Sequence, residues 1–258
     1  MALAFVVALA ALTRTLLPVV ATIVVVQILI ATSPSPSDAR GRVIPTPQFI
    51  ATLAGGLVAA AIACLPPVLI GAAGTRAGID GLAVTGVLAG LMPGVAVGLV
   101  VAIGAQLART DDRRSLVSSL AAVVSLVLFA STATAWIGAA RTASGREVVA
   151  ICGAAIVGSL AVWIGFGPRL LAGGVSLVLG GAAATVMALR LDGSVTWEFA
   201  AIVGVVVAGF TVVGLLIGTA WIDGQRQGPA GWGFPGAFAF ALVGPLVYVA
   251  SQMVSTAL

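Results

Sequence analysis

The residues best able to do chemistry in this sequence are the few charged or amide side chains in or beside its long apolar runs. Arg14 lies within the first run, Gln106 lies near the end of the third, and Glu198 lies at the start of the seventh. Asp80 and Asp192 each precede a glycine just before a run. A charged side chain inside a bilayer is costly, and one that is retained there commonly marks an ion or substrate pathway. These five residues are therefore the candidate polar membrane residues.

Each of these candidates also has a structural interpretation. Arg14 can extend its charged end to the membrane interface, and Gln106 can bond across two helices. An acidic residue at a helix start pairs with free amide groups and complements the helix dipole, so we expect capping rather than ion binding at Asp80 and Asp192. Glu198 follows Trp197 at the start of span seven, where tryptophan marks the membrane interface and glutamate favours a helix start. Because ionisable groups are so scarce in the apolar runs, the sequence argues against a proton- or sodium-coupled pump with its own carboxylate relay.

Signatures of catalysis are missing from the sequence. It contains no histidine, which removes the commonest general base and the histidine-ligated metal and haem sites. It also lacks a nucleotide-binding P-loop and a GxSxG motif. The sequence therefore predicts a protein that is not an enzyme and that holds no metal or cofactor.

The clearest regular pattern is a stripe of glycines in the third apolar run. The stripe recurs every four residues, at Gly86, Gly90, Gly94 and Gly98. Such spacing places the glycines along one side of a helix, where another backbone can approach closely. The stripe predicts helix packing, and the alternative is a surface that lines a passage for a lipid or another ligand.

The elements that must position these residues are membrane-spanning helices. Apolar residues make up 60% of the 258 positions and charged residues only 8%, which is too few to cover a water-facing surface. Runs of about 20 apolar residues match a hydrocarbon core of about 30 Å, and lipid leaves helix as the only form that satisfies the backbone. We predict an all-α polytopic bundle of about eight spans, at Leu12–Ala31, Phe49–Ala72, Leu82–Leu107, Leu116–Ile137, Val148–Phe166, Leu170–Ala188, Phe199–Ile222 and Phe234–Met253.

The distribution of charge fits the same interpretation. The net charge of +4 comes from twelve arginines, which lie mostly in the joints between runs, as is normal beside membrane spans. We therefore expect a lipid bilayer and no nucleic acid among the partners. No joint is long enough to fold separately, so residues 1–258 are predicted to form a single membrane domain.

An offset of 112 residues suggests an internal repeat. It superimposes Asp80-Gly81 on Asp192-Gly193, and the acidic and basic pair at the end of span three on the pair at the end of span seven. An offset of four spans would give two four-helix halves, spans 1–4 and 5–8, in parallel orientation. The intervening apolar residues match little better than composition predicts, so a chance match is the alternative.

Two functions suit a chain of this kind. The first is a transport protein or permease subunit in the plasma or inner membrane that moves a small molecule or lipid by rearranging glycine-packed helices. The second is a non-catalytic scaffold subunit of a multi-protein membrane complex of the secretion or respiratory type. Both lead us to expect other membrane subunits or a homo-oligomer as partners.

Overall fold

The computed structural model describes residues 16–33, 46–65, 86–108, 116–142, 144–165, 169–191, 193–222 and 229–257. Regular structure in these segments is helical throughout. The helices are α1 (Leu17–Ala31), α2 (Thr46–Cys64), α3 (Gly86–Leu107), α4 (Leu116–Thr132), α5 (Ala135–Ala140), α6 (Gly145–Gly165), α7 (Arg169–Leu191), α8 (Trp197–Ile222) and α9 (Pro229–Ala257).

Among the described residues, six helical segments are long and apolar enough to cross a membrane. They are Gly90–Leu107, Ser119–Ala140, Gly145–Gly165, Leu171–Leu191, Trp197–Ile222 and Gly233–Ser255. Each has an apolar run with few charges, so in lipid its backbone must bond internally as a helix. The chain is therefore a multi-pass helical membrane protein, as the composition predicts.

The structure describes only part of each of the first two predicted spans, because residues 12–15 and 66–72 lie outside the described residues. Helix α1 has 15 residues and a length of about 22 Å at 1.5 Å per residue, less than a hydrocarbon core of about 30 Å. The apolar part of α2 begins at Gln48 and ends at Cys64. A count of eight spans is not confirmed by these lengths and stays a prediction.

The fourth predicted span is interrupted rather than continuous. Helix α4 ends at Thr132, two residues adopt a turn, and α5 then runs from Ala135 to Ala140. We call the turn at Ala133–Thr134 the α4 break. Threonine hydroxyls beside the break bond to nearby carbonyl groups, since Thr132 Oγ1 donates to Phe129 O and Thr134 Oγ1 donates to Ser131 O. Such bonds compete with the regular helical pattern.

The helices form two neighbouring groups joined by the last helix and by α5, which contacts α2 and α3 in one group and α6 in the other. In the first group, α2 packs on α1, α3 and α4, and in the second, α6, α7 and α8 pack on one another. Helix α9 contacts α1, α4 and α5 on one side and α6 and α8 on the other. One apolar core runs through both groups, with Trp136 and Phe234 among its largest fully buried side chains.

The residues that suggest an internal repeat are mostly outside the described segments. Asp80, Gly81 and Asp192 all lie there, and so do the matching charged residues that close spans three and seven. The repeat therefore stays a prediction.

Candidate functional site

The glycine stripe lies against helix α2. Gly90, Gly94 and Gly98 are buried. A Cβ atom added at Gly90 would lie 2.5 Å from the carbonyl oxygen of Ala59, and one at Gly94 would lie 2.6 Å from that of Gly55. Gly86 is the first residue of α3, and its surroundings are outside what the structure describes. The described part of the stripe thus brings two backbones into direct contact.

Helix α2 meets the stripe with small residues of its own. Ala51, Gly55 and Ala59 are also spaced by four, and a Cβ atom at Gly55 would lie 3.3 Å from Gly98 Cα. This spacing was visible in the sequence and is the signal that would have identified the partner helix. A continuous passage along the stripe would require α2 and α3 to separate, because a side chain larger than hydrogen already has no room there.

The five candidate polar residues are not brought together among the described residues. Gln106 Nε2 donates to Ser119 Oγ at 3.0 Å, which joins the end of α3 to the start of α4. Glu198 is exposed in the first turn of α8. Arg14, Asp80 and Asp192 lie outside the described residues. The two that are described lie near helix ends and do not form a shared site.

The α4 break leaves the carbonyl group of Ala130 without its regular helical donor. In a continuous α-helix the Thr134 amide would donate to Ala130 O. It donates instead to Ser131 O at 3.1 Å. A carbonyl released in an apolar interior needs another donor, because no water is available there.

Gln27 supplies that donor. Its Nε2 atom donates to Ala130 O at 3.1 Å and to Gly56 O at 2.9 Å, so a single amide joins α1, α2 and α4. The side chain is fully buried, with an exposed fraction of 0%. A Cβ atom at Gly56 would lie 2.9 Å from Gln27 Cδ, so the glycine provides the space for the amide. Sequence reasoning missed Gln27, whose signal was a lone amide within the apolar stretch VVVQILIA.

Helix α9 covers the other side of the α4 break. A Cβ atom at Gly244 would lie 2.8 Å from Thr132 O and 3.3 Å from Trp136 Cδ1. Trp136 Nε1 donates to Phe240 O at 3.1 Å, and the two rings stack with centroids 4.5 Å apart. Pro245 has no amide hydrogen, so it offers no helical donor to the carbonyl four residues earlier. Two helices with irregular backbone bonding therefore meet at this point.

The arrangement at the α4 break is polar but uncharged. Helices α1, α4 and α5 contain no charged residue. Two buried oxygen atoms near the break, Gln27 Oε1 and Ser131 Oγ, have no hydrogen-bond partner. These two atoms are able to form hydrogen bonds with a bound molecule or with another part of the chain.

Two charged residues near helix ends form hydrogen bonds with other parts of the chain. Arg141 Nη1, just after α5, donates to Ala63 O and to Leu65 O, the latter at 2.6 Å, and so caps the end of α2. At the start of α6, Glu147 Oε2 accepts bonds from Ser194 N at 2.9 Å and Ser194 Oγ at 3.1 Å. These bonds hold loops and helix ends in place.

Neither the potential metal ligands among the described residues nor a comparison with known proteins assigns a role to this chain. Within the described segments, no group of three or more histidine, cysteine, aspartate or glutamate residues could hold a metal ion. No family model matches the chain, and no curated protein and no solved structure is similar to it.

Proposed function

We propose that this chain is a membrane transport protein or permease subunit that moves a small molecule or a lipid. The observation that carries the proposal is the α4 break, where Gln27 satisfies a released carbonyl and α9 packs with Gly244 against Thr132. Interrupted helices are a common way for transporters to form binding sites and to rearrange. The proposed role is non-catalytic, and the proposed location is the plasma or inner membrane.

The hydrogen bonds at the break suggest how such a rearrangement could occur. A bond from a side-chain amide to a carbonyl can be exchanged for a bond to substrate or water without unfolding either helix. Gly244 lets the backbone of α9 lie close to Thr132 O, so a shift of α9 relative to α4 would change the backbone contacts at the break. Since α1, α4 and α5 carry no charge, the substrate that fits best is an uncharged polar molecule or a lipid.

A scaffold subunit of a larger membrane complex is the second candidate. It is favoured by the wide apolar faces of α3 and α7, where Met92, Val100, Leu171 and Val178 are each at least 65% exposed. Lipid covers such faces in a lone chain, and partner helices cover them in a complex. On this alternative, other membrane subunits or a second copy of the chain would be needed for stability.

Reconstitution tests the two candidates against each other. The protein is purified in mild detergent, its mass and co-purifying chains are recorded, and it is placed in liposomes. Two probes are then followed: fluorescent phosphatidylcholine with dithionite quenching for lipid movement, and glycerol with light scattering for a small solute. A lone chain or homodimer that accelerates either probe supports transport. A chain that is stable only with several different subunits and moves neither probe supports the scaffold.

A further inference from the structure

Three buried side chains where α1 ends and α2 begins carry oxygen atoms without hydrogen-bond partners, and we propose that they bind a monovalent metal cation, Na⁺ or K⁺. The atoms are Ser33 Oγ, Gln48 Oε1 and Thr52 Oγ1. The exposed fractions of these residues are 0%, 2% and 0%. Buried polar atoms are normally paired, so three unpaired oxygens at neighbouring positions call for a ligand.

A hydrogen bond joins two of these residues directly, and the third lies one turn further along the same helix. Gln48 Nε2 donates to Ser33 O at 3.0 Å, so the amide of one residue touches the backbone of the other. Thr52 follows Gln48 by four residues, which puts the two side chains on adjacent turns of one helix face. Gly56, one turn further, touches Gln27 of α1, so this face of α2 points toward α1.

The charge of the surroundings favours a cation of single charge. All three unpaired atoms are oxygens, and Gln48 Nε2 donates a hydrogen bond to Ser33 O, which leaves Oε1 as the unpaired acceptor of this amide. The C-terminal end of α1 adds the negative end of a helix dipole. Helices α1 and α2 contain no carboxylate, whereas a tightly held divalent ion normally needs one or more.

This site goes beyond the proposed function and does not depend on it. It lies between α1 and α2, at the end of α1 that follows Gln27, and it uses none of the residues at the α4 break. In a transporter the ion could be coupled to substrate movement through α1, because α1 contains Gln27 and ends two residues before Ser33. A set of neutral oxygens would need no carboxylate relay, which agrees with the scarcity of ionisable groups in the spans.

Thermal unfolding of the purified chain in detergent tests the site. The midpoint is measured in NaCl, KCl and choline chloride at one ionic strength, with choline as a cation too large to be held by these oxygens. We expect a saturable rise in Tm on the order of 5 °C with Na⁺ or K⁺ relative to choline. Identical midpoints in the three salts would overturn the proposal.

Matched variants assign the effect to these residues. Thr52→Val keeps the shape of the side chain, so we expect an unchanged Tm in choline chloride and loss of most of the rise with Na⁺ or K⁺. Thr211→Val, which removes a buried hydroxyl bonded to Val207 O at 2.8 Å, should keep the full rise. Ser33→Ala provides the same test through a second ligand. Equal rises in the Thr52 and Thr211 variants would contradict the assignment.

The outcome is separable from that of the reconstitution experiment. A cation-dependent Tm without movement of lipid or glycerol would support the site and count against transport. Movement of either probe with no cation dependence of Tm would support transport and count against the cation site.

Discussion

Gln27 is the residue whose side chain links the largest number of helices at the α4 break. Its amide reaches carbonyl groups on α2 and α4 from a position in α1. A shorter amide would not span the distance, and an apolar side chain of the same length would fill the space without donating. The contribution of Gln27 is therefore specific to its hydrogen-bond donor.

Replacing Gln27 by methionine should destabilise the protein more than the same change at Gln106. Methionine matches the length of glutamine but leaves Ala130 O without its donor, at a cost of about 1–3 kcal/mol. Gln106 is only half-buried and lies near the end of α3, so its replacement should cost less. Thermal unfolding in one detergent measures both variants. Equal losses of Tm would show that the hydrogen bond to Ala130 O stabilises the protein no more than the bond of Gln106 does.

At the scale of elements, α2 and α3 form a contact that depends on the absence of side chains. Helix α3 offers Gly90, Gly94 and Gly98, and α2 offers Ala51, Gly55 and Ala59. Close backbone approach gains dispersion contacts that lipid tails do not replace. This pair of helices is consequently the most sensitive to added volume.

Substitutions at two glycines of α3 test that contact. Gly90→Ala should lower the free energy of unfolding by roughly 1–3 kcal/mol, because the new Cβ would lie 2.5 Å from Ala59 O. Gly104→Ala is the matched control, since a Cβ there would have no neighbour within 4 Å. It should leave Tm unchanged or raise it slightly. A Gly90 variant as stable as the Gly104 variant would mean that α2 and α3 are not in close contact.

The contact of α9 with the α4 break is the second element-scale feature. Gly244→Ala places a Cβ atom 2.8 Å from Thr132 O, whereas a Cβ atom at Gly236 in the same helix would meet nothing within 4 Å. We expect Gly244→Ala to lower both Tm and the rate of lipid or glycerol movement in liposomes. Gly236→Ala should change neither. If the Gly244 variant moved both probes at the wild-type rate, the contact between α9 and the α4 break would have no part in the proposed function.

The sequence predicts the regular spans well because apolar length alone determines them. The seventh span was placed at Phe199–Ile222, and α8 runs from Trp197 to Ile222. The sequence does not predict the α4 break, because Ser131, Thr132 and Thr134 are uncharged and lie within a long apolar run, and their hydroxyl groups are the one hint of competing hydrogen bonds. Gln27 was missed because an amide can be recognised as a link between helices only when the carbonyl groups opposite it are known.

At the scale of the whole molecule, the chain presents apolar surface outward and keeps its few polar contacts inside. Exposed large apolar residues lie on every long helix, as expected where lipid replaces water as the surrounding medium. Inside, the two helix groups meet through α9, which touches both, and through the contact of α5 with α6. A shift of α9 against α4 would therefore change the relation between the groups, and this is the movement on which the proposed function depends.

Cysteine accessibility at Ser131 tests that movement most directly. Cys64 and Cys152 are first replaced by alanine. Ser131→Cys and Ser159→Cys, both fully buried positions, are then treated with a membrane-permeant maleimide in native membranes and, as a reference, after denaturation. We predict that the Ser131 variant reacts in the membrane, because the α4 break opens, while the Ser159 variant between α6 and α7 stays protected. Equal protection of both cysteines would contradict an opening at the break.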